Sequence, residues 1–124
     1  MTDIWPTELR VSKDRRVLNV TFNDGQSYGL PAEMLRVLSP SAEVQGHGPG
    51  QKVTVPGKQN VAIASLTPTG NYAVRIGFDD GHGSGIFTWT YLRELGEDGE
   101  RLFADYEREL AEKGLSRVPP QNRS

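Results

Sequence analysis

The residues best equipped for chemistry are two histidines and a pair of aspartates. Asp79, Asp80 and His82 lie in FDDGHGSG, and His47 lies in GHGPGQKVT. Two imidazoles and a carboxylate are a ligand set suited to non-haem iron or zinc. The spacing argues the other way, because the two histidines fall on separate glycine-rich loops rather than on one strand or helix. In the competing reading Asp79–Gly85 is a hairpin connection, with aspartates bonding backbone amides and glycines supplying unusual φ. Ser84 follows His82 by two positions, which raises the pairing of a nucleophile with its base. The GHGSG run is nevertheless not the G-x-S-x-G elbow, which would need glycine at 82. Adjacent aspartates point to opposite faces of an extended chain, so they do not form an acid/base couple by themselves. A phosphate cradle at GHGPGQKVT also fails, since Gln51 precedes Lys52 and Val53 follows it where the motif requires Gly and Ser/Thr. A surface loop is the better reading there.

The elements that must position these residues fit in one domain. The chain has 124 residues, 35% hydrophobic and 24% charged, with a formal charge of −2, which suits a single core and lacks the basic stripe of a nucleic-acid binder. There is no cysteine, which excludes disulfides, thiolate catalysis and cysteine-based metal sites within this sequence. No run approaches the roughly 20 apolar residues that cross a bilayer, and MTDIWPTELRVSKDRR has no apolar h-region. The expectation is a cytoplasmic protein that binds neither membrane nor nucleic acid.

Period-two alternation predicts strands at 7–12, 17–22 and 26–30, with Asp24-Gly25 as a hairpin turn. PAEMLRVL, 31–38, opens on a proline suited to a first helical turn and reads as a short helix. From 40 to 57 the sequence reads as loop. Residues 60–69 and 71–79 form a second pair of strands turning at Thr69-Gly70-Asn71, and GIFTW adds another. Thr90 caps a short helix YLREL. A separate helix spans 98–113, with Leu102, Phe103, Tyr106 and Leu110 on one face, Glu97/Arg101 and Glu109/Lys113 as ion pairs, and Gly114 as its stop. Trp5, Trp89 and Tyr91 read as core anchors. Residues 115–124 lack a core pattern and read as a mobile, dispensable tail.

At LPAEMLRVLSPSAEVQGHGPG and FDDGHGSGIFTWTYLREL the chain resembles the gamma-butyrobetaine hydroxylase-like N-terminal domain family, over about 7–96. That domain occurs alone, ahead of an iron- and 2-oxoglutarate-dependent oxygenase domain, or attached to P-loop ATPases of the iron–sulfur carrier type. Oxygenase relatives hold a structural zinc through three cysteines and a histidine. By resemblance those positions are Ser39, Ser41, Val44 and His82 here, so one ligand of four remains. The resemblance implies a metal-free version in which 39–51 packs beside 79–85 and His47 comes near His82. The chain also lacks the facial triad of the oxygenase.

The reading is a small α+β domain over 1–114: an antiparallel sheet, a short helix after the first hairpin and a C-terminal helix. Its expected role is a non-enzymatic accessory module with a protein partner and no cofactor, acting with iron–sulfur carrier or oxygenase systems. The expected contact face comprises Gln45, His47, Lys52, Asp79, Asp80, His82 and Ser84. The rival is a small metalloprotein using His47, His82 and Asp79 or Asp80.

Overall fold

The computed structural model describes residues 3–46 and 52–119. It contains β1 (Pro6–Val11), β2 (Val17–Phe22), β3 (Ser27–Pro31), α1 (Ala32–Val37), α2 (Ala42–Gln45), β4 (Ile63–Thr69), β5 (Ala73–Phe78), β6 (Gly85–Thr88) and α3 (Trp89–Glu112). The strands form two antiparallel three-stranded meanders, β1-β2-β3 and β4-β5-β6. The fold is α+β, as expected, with the strands divided between two sheets.

The alternation in β2 buries Leu18, Val20 and Phe22, and that in β5 buries Val74, Ile76 and Phe78. These faces share one core with Leu35 of α1, Phe87 of β6, and Leu92, Leu95, Tyr106 and Leu110 of α3. The sheets are also tied through the β1–β2 turn, where Ile63 N–H donates to the Arg15 carbonyl and Arg15 Nη1 donates to that of Ile63. Fully burying aliphatic side chains of this size stabilises by about 1.5–3 kcal/mol each before entropy is counted. The core therefore fixes the loops that connect these elements.

Several local expectations are corrected. The stretch 40–57 is not all loop: Ser41 caps the single turn α2, its Oγ accepting from Glu43 N–H at 3.2 Å. The two C-terminal helices are one, capped by Thr88 rather than Thr90, because Thr88 Oγ1 accepts from Tyr91 N–H. The helix runs through Gly96 since a side chain there would strike the Tyr28 ring, with an added Cβ only 2.5 Å from Tyr28 Cγ. Glycine at 96 is thus a packing choice, not a break. Glu97 pairs with Arg93 instead of Arg101, and Glu109 and Lys113 both reach Thr54. Trp5 is 49% exposed and is no core anchor, while Trp89 and Tyr91 are half-buried and reach the carbonyls of Asn71 and Leu38.

The segment after α3 is tied down in its first part. Gly114 ends the helix at φ +68°. The carbonyls of Ser116 and Arg117 then accept from Gly57 and Gln59 N–H, and Arg117 forms a two-bond fork with Glu33. These contacts join residues 116 and 117 to the segment before β4 and to α1. Among the described residues, no helix is long and apolar enough to cross a membrane.

Candidate functional site: a closed ring of polar side chains

The β5–β6 connection, 79–84, packs against the corner between α1 and α2. It is a turn built by its own residues: Phe78 N–H donates to the His82 carbonyl, Gly81 N–H donates to that of Phe78, and Gly81 takes φ +92°. Asp79 Oδ1 accepts from Ala62 N–H at 3.0 Å, and Asp80 Oδ1 accepts from His82 N–H at 3.1 Å. The other Asp80 oxygen lies 2.7 Å from Arg36 Nε and 2.6 Å from Lys58 Nζ. Burial would raise the Asp80 pKa, but Lys58, the His82 amide and Arg36 outweigh it and hold the carboxyl at about 2. These contacts staple the turn to α1 and to the segment before β4.

On the same turn His82 is directed inward, its ring 6.1 Å from that of Phe78. His82 Nε2 lies 3.0 Å from Ser39 Oγ, and His82 Nδ1 lies 3.0 Å from Glu43 Oε2. Ser84 Oγ donates to Glu43 Oε1 at 3.3 Å, Ser41 Oγ is 2.7 Å from Ser84 Oγ, and Ser41 N–H donates to Ser39 Oγ at 3.3 Å. These contacts close a ring: Ser39, His82, Glu43, Ser84, Ser41 and back to Ser39. Gly85 makes room for it, because a Cβ there would come within 2.4 Å of Ser39 Oγ.

With His82 neutral, the proton positions follow from the chemistry of the groups. An ionised carboxylate only accepts, so Glu43 places the imidazole proton on Nδ1 and leaves Nε2 as an acceptor. The Ser39 hydroxyl then donates to Nε2 while its oxygen accepts from Ser41 N–H. Ser84 gives its proton to Glu43 and accepts from Ser41, whose oxygen accepts from Glu43 N–H. Every named donor has an acceptor, in one consistent direction. A satisfied polar network of this kind rigidifies a corner, whereas a half-satisfied one would be costly.

Serine on Nε2 and a carboxylate on Nδ1 is the connectivity of a hydrolase triad. Exposure is inverted relative to that use. Ser39 is 0% exposed and His82 6%, while the Glu43 side chain is 69% exposed. The hydroxyl that would attack is enclosed and also engaged by a backbone amide. Chemically the arrangement holds a loop in place and presents a carboxylate.

The candidate residues separate accordingly. Ser39, Ser41, His82 and Ser84 meet in the ring, and Val44 is the buried residue of α2 itself. Gln45 Nε2 donates to the Ser39 carbonyl at 2.9 Å, and Lys52 is exposed. Asp79 and Asp80 point to backbone and cations outside the ring. His47 lies outside the described residues, and so does most of the 45–52 loop. Among the described residues no three His, Asp or Glu side chains converge as a metal-binding group. The donors at 39, 41, 44 and 82 do not fit zinc: two neutral hydroxyls, a valine, and an imidazole whose two nitrogens are both engaged. Glu43 was missed in the sequence. Its signal was the adjacent N-cap serine, which marks a helix start whose first-turn carboxylate could face the β5–β6 turn.

A family model described as gamma-butyrobetaine hydroxylase-like, N-terminal, matches residues 9–93. The chain belongs to that family. It is similar to a protein solved in solution by NMR, at 48% identity and TM-score 0.80, covering 94% of this chain and 92% of that one. A second solution structure is 41% identical with TM-score 0.78, covering 97% and 91%. A crystal structure of a protein of unknown function from Acidithiobacillus ferrooxidans, assigned to the DUF971 family, is 41% identical with TM-score 0.61, covering 73% and 91%. No curated protein matches the chain.

Proposed function

We propose that this domain is a non-enzymatic accessory module of the cytoplasm that docks a protein partner through the outer rim of the closed ring. The observation that carries the reading is the inverted exposure of the Ser39–His82–Glu43 array: its reactive hydroxyl is sealed and its carboxylate faces solvent. Side chains arranged in this way make a rigid polar surface with no place for a substrate to react. The rim consists of Glu43, Ser84, Asp79 and Lys52, all reaching solvent. His82 belongs to its foundation, being buried, and leaves the contact face expected from sequence. Partners drawn from iron–sulfur carrier ATPases or 2-oxoglutarate oxygenases follow from the habits of the family, as fold-level analogy.

The test is a chemical-shift titration of the labelled domain with a P-loop ATPase of the iron–sulfur carrier type. Amides of Glu43 and Ser84 are expected to move, and Glu43→Lys should weaken binding at least tenfold. Shifts confined to Arg101–Lys113 would overturn this surface and give the docking role to the exposed face of α3.

A further inference from the structure

We infer that the groove between β3 and α3 is a recognition site for an arginine side chain of a partner polypeptide, and that Arg117, part of the groove wall, engages its carboxylate in the free protein as an intramolecular stand-in. The groove has a volume of about 550 Å³. Its wall carries Glu33, a carboxylate only 7% exposed, on the first turn of α1. Arg117 Nε and Nη2 each donate to Glu33 at 2.7 Å, the planar two-bond fork that a guanidinium makes and an ammonium cannot. The guanidinium carbon lies 5.2 Å from the centre of the Phe103 ring, and Glu107 stands 3.8 Å from Nη1. Buried carboxylate, aromatic face and second carboxylate together are the elements of an arginine pocket.

Two features separate this site from a permanent internal salt bridge. Glu33, Glu100 and Glu107 all line the groove against one cation, Arg117, so it carries two more carboxylates than guanidinium groups. The segment delivering Arg117 is held by polar contacts rather than by apolar burial, because its apolar residues Leu115 and Val118 are 39% and 59% exposed. Among the described residues its backbone ties are the bonds to Gly57 and Gln59, Leu115 N–H to the Leu110 carbonyl, and Val118 N–H to Ser116 Oγ. Arg117 can therefore leave when a better-placed arginine arrives. The groove continues past it over Met34, Leu95 and Tyr28, an apolar surface suited to the residue beside that arginine. The fitting partner is thus a basic peptide segment with arginine next to an aliphatic side chain.

The experiment is an NMR titration with acetyl-Arg-Leu-amide, using acetyl-Lys-Leu-amide as control, on the wild type, Arg117→Ala and Arg117→Lys. The arginine peptide is expected to shift Glu33 and Phe103 and to move the Arg117 Nε resonance of the wild type towards its free position. Its affinity should rise at least tenfold in Arg117→Ala, with the lysine peptide at least tenfold weaker. Should Arg117→Ala not fold, Arg117→Lys keeps the cation but loses the fork, and should bind the arginine peptide more tightly than wild type. No shift at Glu33 or Phe103 in either folded variant at millimolar peptide, or equal binding of both peptides, overturns the inference.

Discussion

Ser39 Oγ and His82 Nε2 lie 3.0 Å apart although 43 positions separate them, and this contact is the buried half of a ring whose other half faces solvent. The two halves should respond differently to mutation. Ser39→Ala leaves His82 Nε2 without its donor in a buried site, which costs about 1–3 kcal/mol. Ser84→Ala removes a partly exposed hydroxyl whose neighbours can turn to water, and should cost under about 1 kcal/mol. Urea denaturation measures both. Equal losses would mean that the ring is not closed as described.

Metal content gives the second test. Neutral hydroxyls and valine at 39, 41 and 44 supply no thiolate, so the untagged protein is expected to carry no stoichiometric zinc or iron by elemental analysis. One metal per chain that disappears in His82→Ala would refute this and support a site including His47. Conversely, the triple variant Ser39→Cys, Ser41→Cys and Val44→Cys should take up one zinc and release it to a chelator. Failure of that folded variant to bind zinc would mean that the corner has lost the geometry as well as the ligands.

Asp80 makes stability depend on pH. Its carboxyl is held near 2 when folded, against an ordinary 3.8. A depressed folded pKa adds stability that is fully present above the unfolded value and is lost as pH falls towards the folded one. The contribution should therefore fade between about pH 4 and pH 2, and is worth about 1–2 kcal/mol once solvent screening is allowed for. Asp80→Asn should lose that amount at neutral pH and match the wild type near pH 2. A constant difference across the whole range would assign the effect to packing rather than to charge.

Much of the fold was legible because strands write a period of two into the chain: Leu18, Val20 and Phe22, or Val74, Ile76 and Phe78, declare their buried face directly. The division of α3 into YLREL and 98–113 falls at Gly96, since a glycine inside a helical pattern signals either a stop or a close neighbour, and only Tyr28 decides between them. The site was half legible. Ser84 and His82 are neighbours in sequence, but Glu43 is brought to them by tertiary packing alone. Glu33 and Arg117, 84 positions apart, carry no local signal at all. A salt bridge between distant elements has no period.

That pair changes what truncation should do. Removing 115–124 takes Arg117 from a nearly enclosed Glu33 and frees Gly57 and Gln59 N–H. Removing one partner of a buried ion pair costs about 3 kcal/mol or more, so the thermal midpoint should drop by roughly 10 °C. Glu33→Gln in the truncated chain should recover part of the loss. An unchanged midpoint on truncation would restore the reading of 115–124 as dispensable.

Gly96 offers the sharpest contest between local propensity and packing. In an exposed helix, glycine to alanine stabilises by about 1 kcal/mol. Here the added methyl would sit 2.5 Å from Tyr28 Cγ and 2.8 Å from both Cδ atoms, a clash that must push the ring away. The ring is not free to move without loss, because it packs edge-on to Phe22 at 6.0 Å and lies under the Arg93 guanidinium at 5.5 Å. Overpacking of this kind costs about 1–3 kcal/mol, which exceeds the propensity gain, so Gly96→Ala should destabilise by about 1–2 kcal/mol. Removing the obstacle should reverse the sign: in a Tyr28→Ala background the same substitution is expected to stabilise by up to about 1 kcal/mol. A double-mutant cycle by urea denaturation reads the coupling directly. Additive effects would show that Tyr28 moves aside freely and that Gly96 is not required for close approach of α3 to β3.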